Sequence, residues 1–268
     1  MKTEMFGYVP GGYARILERF ARLLAEEGVR VQTGHPVERI RKTDGGLHVE
    51  TRSASLMFDS VVVTSSAPLA ATICPDLGEE ERLRLNGVVY NGVICASVLL
   101  RRPLGGYYLT YITDPAIPFT AVIEMSSLVD AERHFGGKAL VYLPRYVTGD
   151  DTFWNMSDAE IEEHFLAGLR KIYRDLSPED IIAFRIARAR QVYAVTTLNY
   201  SDRLPPMITS VPGLSIVNSA HIVNASLAVN ETVALAESAL PRLMAGPDAI
   251  ASDKAGAQFG AVEAAGAA

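Results

Sequence analysis

Apolar residues recur at every third or fourth position over residues 12–27, with charged residues between them. This repeat places Ile16, Phe20, Leu23 and Leu24 on one side of a helix. A glycine directly after the repeat is a typical helix stop. The pattern therefore predicts an amphipathic helix near the start of the chain.

Short apolar runs follow this helix, and their composition is typical of strands. We predict strands over residues 29–31, 37–41 and 47–51, with a glycine hairpin turn between the last two and another turn at 53–55. Residues 61–64 form an unbroken run of β-branched residues. Such a run is typical of a strand that is buried on both faces of a parallel sheet.

The middle of the chain has longer apolar runs that glycines and prolines interrupt. Strands are predicted over residues 88–101, 107–113, 120–125, 138–146 and 181–195. Ser157 and Glu160 fit the reciprocal positions of a capping box, which predicts a helix from there to about residue 174. Strands, then a helix, then a strand favour an antiparallel sheet with helices on one side.

The end of the chain returns to short elements. Residues 214–217 predict a strand, and residues 227–244 predict a last helix. The segment over residues 247–268 is rich in Ala and Gly and has few large apolar residues to bury, so we expect it to be disordered.

These elements predict an α/β plus α+β fold. An α/β lobe is expected from residues 1–85 together with residues 205–246, and it includes short helices over residues 67–73 and 79–85. The segment over residues 86–204 is expected to form an inserted lobe with the antiparallel sheet.

Composition excludes some classes of function. The formal net charge is -6, and clustered Lys and Arg are missing, which argues against a nucleic-acid partner. Cys74 and Cys95 lack the spacing of a metal site and are interpreted as free thiols in a reducing compartment. The sequence has no apolar run of about 18 residues and no signal-peptide pattern. We expect a soluble, cytoplasmic protein with no metal and no transmembrane segment.

The motifs of common enzymes are missing too. The sequence contains no Gly-x-Gly-x-x-Gly, no phosphate loop ending in Gly-Lys-Ser/Thr, no Gly-x-Ser-x-Gly and no His-Glu-x-x-His. The histidines are interpreted as structural except His221, which lies in an unusual segment after the last strand. No hydrolytic or metal-dependent mechanism is therefore predicted, and no catalytic residue is singled out.

Two parts of the sequence carry a family resemblance. The first part contains residues 7–13 (GYVPGGY), 28–31 (GVRV), 36–40 (PVERI) and 58–64 (FDSVVVT). The second part contains residues 212–220 (PGLSIVNSA). In this order they resemble the FAD-dependent amine oxidase superfamily, which includes protoporphyrinogen oxidase, phytoene desaturase and UDP-galactopyranose mutase. The resemblance implies a partial FAD-binding, Rossmann-like lobe with an inserted antiparallel-sheet substrate lobe.

The resemblance also implies which residues contact FAD. Val37 holds the position that contacts the adenine end through its backbone. Asn218 and Ser219 hold the places near the phosphates and the ribityl chain. The last helix points its N-terminus at the pyrimidine edge of the flavin ring, and Ala228, Val229 and Asn230 are the nearest candidates there.

The resemblance also implies that the loop between the Asn218 strand and the last helix lies near the flavin. A functional and a structural role are equally supported for its residues His221 and Asn224. The aromatic residues Tyr193 and Tyr200 are interpreted as packing residues rather than as an aromatic cage.

The sequence departs from the family pattern at two points. Asn218 and Ser219 replace the expected Gly-Asp, so a carboxylate contact is missing. The glycine loop that holds the FAD pyrophosphate is also missing. The chain is therefore expected to be a fragment of a longer enzyme, to pair with a chain that carries Gly-x-Gly-x-x-Gly, or to close its sheet as a homodimer.

Three functions stay open from the sequence. The first is an FAD-dependent oxidoreductase module that transfers hydride from substrate to flavin and needs the missing half. The second is a catalytically inactive interaction or scaffold protein of flavoenzyme ancestry. The third is a flavin-dependent mutase, whose arginines would have to be Arg185, Arg188 and Arg190. The tyrosines and apolar strands of the middle lobe favour a small apolar substrate.

Overall fold

The computed structural model describes residues 7–223 and 227–245. The segment that we expect to be disordered, residues 247–268, lies outside the described residues. The chain divides into two compact units. One unit comprises Tyr90–Ala194 and the described part of Met1–Gly34, and the other comprises His35–Val89 and the described part of Val195–Ala268. The lobe boundaries expected from the sequence stay a prediction.

The described residues contain both helices and strands. The helices are α1 (Gly12–Glu26), α2 (Ala67–Ile73), α3 (Glu79–Asn86), α4 (Ala131–Phe135), α5 (Asp158–Ile172) and α6 (Val229–Met244). The strands are β1 (Val37–Thr43), β2 (Gly46–Thr51), β3 (Ser55–Phe58), β4 (Val61–Val63), β5 (Tyr90–Leu100), β6 (Leu109–Tyr111), β7 (Ala121–Glu124), β8 (Ala139–Val147), β9 (Ile181–Ala194) and β10 (Leu214–Ile216).

The first unit is built on a five-stranded sheet in the order β6-β7-β8-β5-β9, with antiparallel pairing throughout. This confirms the antiparallel sheet that the sequence predicts. From Asn91 to the end of β5, residues alternate between half-buried and buried. The alternation is that of a sheet with one face packed on a core and the other face less covered.

Helix α5 covers the buried face of this sheet. Ile161, Phe165 and Leu169 follow one another by about one helical turn and are fully buried. They join one apolar cluster with Ile94 and Val98 of β5. The packing explains why residues that alternate on the strand and recur by turns on the helix form a single core.

The start of α5 is fixed by its own side chains. The Ser157 hydroxyl accepts a hydrogen bond from the Glu160 backbone N–H, and the Glu160 carboxylate accepts one from the Ser157 N–H. The predicted capping box is therefore confirmed. Two backbone N–H groups that would otherwise lack a partner are satisfied in this way.

One buried carboxylate in this unit was not foreseen from the sequence. Glu124, at the end of β7, is 1% exposed. Its oxygens accept hydrogen bonds from the backbone N–H groups of Leu104 and Gly105 and from the Ser126 hydroxyl. These donors offset the desolvation of the charge, and the contacts hold the turn after β5 against β7.

The second unit contains two small sheets. Strands β1, β2 and β3 form an antiparallel meander, and β4 pairs with β10 in parallel. The predicted turn at residues 53–55 ends one residue early, because Ser55 already pairs with Glu50 in β3. Outside this unit, the strand predicted over residues 29–31 is wrong. Those residues are irregular, since an apolar alternation forms a strand only beside a pairing partner.

The parallel pair β4–β10 is short, and it was only partly foreseen. Parallel pairing is confirmed, but burial on both faces is wrong, because Val62 is exposed while Val63 is buried. On the edge of β10 that faces away from β4, Ser215 forms a β-bridge with Ile208. On the edge of β4 that faces away from β10, no strand pairs among the described residues. Strand β4 therefore presents a free edge.

Candidate functional site

The carboxyl ends of β4 and β10 form the candidate site. In open α/β sheets, ligands bind beyond the carboxyl ends of the parallel strands. Strand β4 leads into Ser65, and β10 leads into Asn218 and Ser219. The two loop ends are joined directly, since the Asn218 side-chain amide donates to the Ser65 carbonyl oxygen over 2.8 Å.

Asn218 holds the turn in shape. Its side-chain oxygen accepts a hydrogen bond from the Ala220 N–H over 3.0 Å, and the residue is 6% exposed. With one amide hydrogen on Ser65 and the oxygen on Ala220, most of its bonding capacity is engaged inside the protein. Ser219 begins the short 3-10 helix that follows and is half-buried. Of the two residues, Ser219 is thus the one with the more accessible side chain.

His221 ties the same turn to a second loop. Its Nε2 lies 3.1 Å from the Pro205 carbonyl oxygen, which can only accept, so Nε2 carries a proton. Its Nδ1 accepts the Asn218 backbone N–H over 3.2 Å. Burial lowers the pKa of His221, while its backbone partners at Asn218 and Pro205 act in the opposite direction. The imidazole is therefore neutral, and its hydrogen bonds hold the turn at Asn218 against the loop at Pro205.

Tyr200 supports the turn from behind. Its buried hydroxyl donates to the Ala220 carbonyl oxygen over 2.7 Å, in keeping with the packing role expected from the sequence. Tyr200 also lines a cleft of about 210 Å³ together with Leu83, Arg84 and Arg203. Within the cleft, Arg84 forms an ion pair with Glu80, and Arg203 donates hydrogen bonds to the Thr197 hydroxyl and the Leu198 carbonyl oxygen.

Helix α6 begins at Val229, with Ala228 as its N-cap residue. No side chain caps the first turn, and Ala228, Val229 and Asn230 are exposed. Unpaired N–H groups at a helix start carry partial positive charge. In the same turn, the Glu231 Oε2 atom is buried without a hydrogen-bond partner. Within residues 7–223 and 227–245, the start of α6 thus offers N–H donors without a side-chain cap and one carboxylate oxygen that lacks a donor.

Two further residues that the resemblance implied, Val37 and Asn224, are not part of the turn at Asn218 or of the described start of α6. Val37 is the first residue of β1, and it pairs with Thr51 just before an irregularity in the register. Asn224 lies outside the described residues. The sequence did not single out Ser65 as a partner of Asn218, because a backbone carbonyl leaves no signal in the residue types.

A second cluster lies on the half-buried face of the five-stranded sheet. Tyr142 of β8 stands opposite Ser97 of β5 and opposite Ile123 of β7. Burial raises the pKa of Tyr142, and the neighbouring Cys95 and Tyr8 raise it further. Burial also raises the pKa of the Cys95 thiol. Thiol and phenol stay neutral at pH 7, while Arg185 of β9 stands opposite Ser97 on the same face.

The three arginines of β9 do not converge. Arg188 forms an ion pair with Asp158, and the Arg190 guanidinium lies 4.5 Å from the centre of the Trp154 ring. Arg185 stands opposite Ser97, on the half-buried face of the sheet. Because side chains alternate along a strand, Arg185 and Arg188 point to opposite faces. The three arginines that a mutase would need therefore do not form one cluster on this strand.

Two further properties bear on the class of site. Among residues 7–223 and 227–245, no group of three His, Cys, Asp or Glu side chains is placed to hold a metal ion. Both cysteines are free thiols, as predicted. Within the same described ranges, no helix combines the length and the apolar character that crossing a bilayer requires.

The mixed α/β fold, with its antiparallel sheets and parallel strand pair, is that of flavin amine oxidase-like proteins. The family model described as flavin containing amine oxidoreductase matches residues 3–217. The chain therefore belongs to the flavin-containing amine oxidoreductase family, which confirms the resemblance drawn from the sequence. No curated protein matches the chain.

Solved structures share the fold at low sequence identity. A proposed protoporphyrinogen oxidase from Exiguobacterium sp. 255-15 has 17% identity and a TM-score of 0.65, with 87% of this chain and 51% of that chain covered. A putrescine oxidase variant from a redesign of cofactor binding has 15% identity and a TM-score of 0.67, with 88% and 53% covered. A reduced UDP-galactopyranose mutase has 15% identity and a TM-score of 0.59, with 72% and 42% covered. The chain spans about half the length of these proteins.

Proposed function

We propose that this chain is the substrate-side part of an FAD-dependent oxidoreductase that moves hydride from a C–H or C–N bond of its substrate to the flavin. The observation that carries the proposal is the family match over residues 3–217 together with the parallel strand ends at Ser65 and Asn218. A flavin supplies the two-electron acceptor for this reaction, which no side chain of the protein provides.

The residues present fit one side of FAD. The uncapped start of α6 offers N–H donors for the pyrimidine edge of the ring, and its partial positive charge would favour the reduced, anionic form. A hydroxyl of the ribityl chain is a donor of the kind that Glu231 Oε2 lacks. Ser219 lies at a strand end, where we assign it to the ribityl chain or the phosphates. Val37 is assigned to the adenine end.

The residues present do not fit the pyrophosphate. No Gly-x-Gly-x-x-Gly occurs in the sequence, and a strand-to-helix loop of this kind is what holds that group in Rossmann-like lobes. We assign the phosphate loop to a partner polypeptide or to a longer form of this one. The free edge of β4 favours this assignment, because a parallel strand placed there would extend the sheet.

The half-buried face of the five-stranded sheet is our candidate for the substrate wall. Its centre holds Cys95 and Tyr142, which are neutral at pH 7, and Val93 and Leu99 lie on the same face of β5. Arg185 of the edge strand β9 lies at the margin of this face, opposite Ser97. Small apolar molecules bind to surfaces of this character. We therefore propose a small apolar substrate.

Flavin binding is the first test. The purified chain is titrated with FAD, first alone and then with a polypeptide that carries the glycine loop, and the visible spectrum is recorded. We expect weak binding or none alone and bound flavin in the complex. Ser219→Ala should weaken binding several-fold, about the effect of one lost hydrogen bond. The control is Ser238→Ala, whose hydroxyl caps only the Leu235 carbonyl within α6.

A scaffold protein of flavoenzyme ancestry is the second candidate, because the Asn218 amide is engaged within the turn rather than held ready for a ligand. No bound flavin in the complex would favour this candidate over the enzyme. A mutase that depends on a cluster of arginines is disfavoured, since Arg188 and Arg190 are occupied on the face opposite Arg185.

A further inference from the structure

We propose that Ser97, Tyr142 and Arg185 form a carboxylate-binding site on the half-buried face of the five-stranded sheet, and that the substrate is a small apolar molecule with one carboxylate group. The inference rests on the proposed function in one respect, namely that this face is the substrate wall. It goes further, because it names the charged group of the substrate and the side chains that bind it.

The three residues stand in one row across the sheet, which we call the polar row. Tyr142 of β8 and Arg185 of β9 each pair with Ser97 of β5, the strand that lies between them. Paired residues of an antiparallel sheet project from the same face, with their Cβ atoms about 5 Å apart. Ser97 is much the smallest of the three. A ligand group that lies over Ser97 is therefore flanked by a phenol and a guanidinium.

Apolar and small residues flank the polar row. On the same face of β5, Ser97 has Cys95 and Leu99 as its neighbours. On β9, the positions two residues before and two residues after Arg185 are both alanines, so no long side chain of the strand competes with the guanidinium. An apolar wall with a few placed polar groups is the usual character of a site for a small molecule.

The guanidinium of Arg185 has no ion pair and no hydrogen bond within the described part of the chain. Arg188, on the opposite face of the same strand, is paired with Asp158. The five strands of the sheet contain a single acidic residue, Glu124, and it is buried on the opposite face. The described strands therefore leave the positive charge of Arg185 without a carboxylate.

The chemistry of the polar row favours a carboxylate as the missing anion. A guanidinium binds a carboxylate through two parallel N–H···O bonds, which are stronger than bonds between neutral groups. The hydroxyls of Ser97 and Tyr142 are further donors, and burial raises the pKa of Tyr142, so the phenol keeps its proton at pH 7. A phosphate group carries about two negative charges at pH 7, and one guanidinium does not balance them.

Methyl NMR of the purified chain tests the inference in the absence of flavin. Hexanoate is titrated as the probe, and hexanamide is the neutral probe of similar shape. We expect shifts of the Val93, Leu99 and Ile123 methyl groups on the half-buried face, and none of Val98 and Val141 in the core. Hexanoate should bind at least about fivefold more tightly, because only the carboxylate forms charge-assisted hydrogen bonds.

Variants separate the guanidinium from the rest of the face. Arg185→Gln should bind both probes about equally. The matched control is Arg188→Gln, which removes the same charge on the opposite face and should keep the preference for hexanoate. Tyr142→Phe should weaken hexanoate binding about threefold, the effect of one neutral hydrogen bond.

Three results would overturn the inference. The first is equal affinity of the parent chain for the two probes, and the second is an unchanged preference in Arg185→Gln. The third is a homodimer that covers this face and excludes both probes, which sedimentation of the same samples detects.

The outcomes separate the carboxylate site from the oxidoreductase. Hexanoate binding that depends on Arg185, in a chain that takes up no FAD even with the glycine-loop polypeptide, would leave the carboxylate site in place and remove the proposed oxidoreductase. Bound FAD together with no preference for hexanoate would do the reverse.

Discussion

Helices α1 and α5 have the same length, 15 residues, and both carry an apolar side, yet their surroundings differ. In α5, the residues Ile161, Phe165 and Leu169 are buried on the sheet, and a capping box fixes the first turn. In α1, no residue is buried and no side chain caps the start. An amphipathic sequence thus specifies a helix and its apolar side, but the cover for that side must come from another element.

The largest expected effect lies in the core under α5. Phe165 is 0% exposed and contacts the Phe119 and Phe153 rings. Phe165→Ala should lower the free energy of unfolding by about 3 to 5 kcal/mol. Denaturant unfolding followed by circular dichroism measures it. A loss below about 1 kcal/mol would mean that the core closes around the cavity, and the contrast with α1 would then fail.

The next effect concerns how closely α5 approaches its neighbour. A Cβ on Gly168 would stand 2.6 Å from Pro118 Cδ and 3.2 Å from the Phe119 ring. Gly168→Ala gains about 1 kcal/mol of helix propensity, but overpacking costs about 1 to 3 kcal/mol. We expect a net destabilisation of about 1 kcal/mol. A variant more stable than the parent in the same unfolding assay would show that Pro118 moves aside easily.

The capping box gives a similar effect with a pH signature. Ser157→Ala should cost about 1 kcal/mol at neutral pH. The backbone N–H and hydroxyl of Ser157 lower the pKa of Glu160 below its ordinary value of 4.5. A lowered folded pKa stabilises the protein above the unfolded value, and that contribution disappears as pH falls through the folded value. The variant keeps the backbone N–H bond to Glu160, and the lost bond between the Glu160 N–H and the Ser157 hydroxyl does not titrate. Only the hydroxyl–carboxylate bond depends on pH, so the difference in unfolding free energy should shrink, without vanishing, as pH falls below 4.5. A constant difference down to pH 2 would contradict this.

The smallest expected effect completes the comparison. Phe20→Ala in α1 removes the same side chain as Phe165→Ala, but at an exposed position. In the purified chain, the free energy of unfolding should change by less than about 0.5 kcal/mol. A cost of about 2 kcal/mol or more, measured by denaturant unfolding of the monomer, would mean that this chain covers α1 itself.

The sequence predicted the fold best where local rules suffice. The Ser157–Glu160 box, helix α5 and the long strands β5, β8 and β9 follow from periodicity and capping. The strand over residues 29–31 failed because pairing depends on a neighbour far along the chain. Strand β3 was not predicted, because Ser53 and Ser55 have the composition of a turn, whereas pairing with β2 makes residues 55–58 a strand.

The candidate site was predictable only in part. Residue types and order pointed to Asn218 and Ser219. They did not reveal that the Asn218 amide spans to Ser65, 153 residues away in the chain. Arg185 and Arg188 were grouped as mutase candidates, although an interval of three residues on one strand already places the two side chains on opposite faces. Long-range hydrogen bonds and register are set by the tertiary fold.

The indole of Trp154 has a practical consequence for these experiments. It is the only tryptophan of the chain. It is 9% exposed, donates to the Thr148 carbonyl oxygen and packs where Gly92 has no Cβ. Its fluorescence therefore follows the environment of the unit that contains Tyr90–Ala194 and is silent on the other. An emission change that precedes or trails the loss of helical ellipticity would reveal that the two units melt separately.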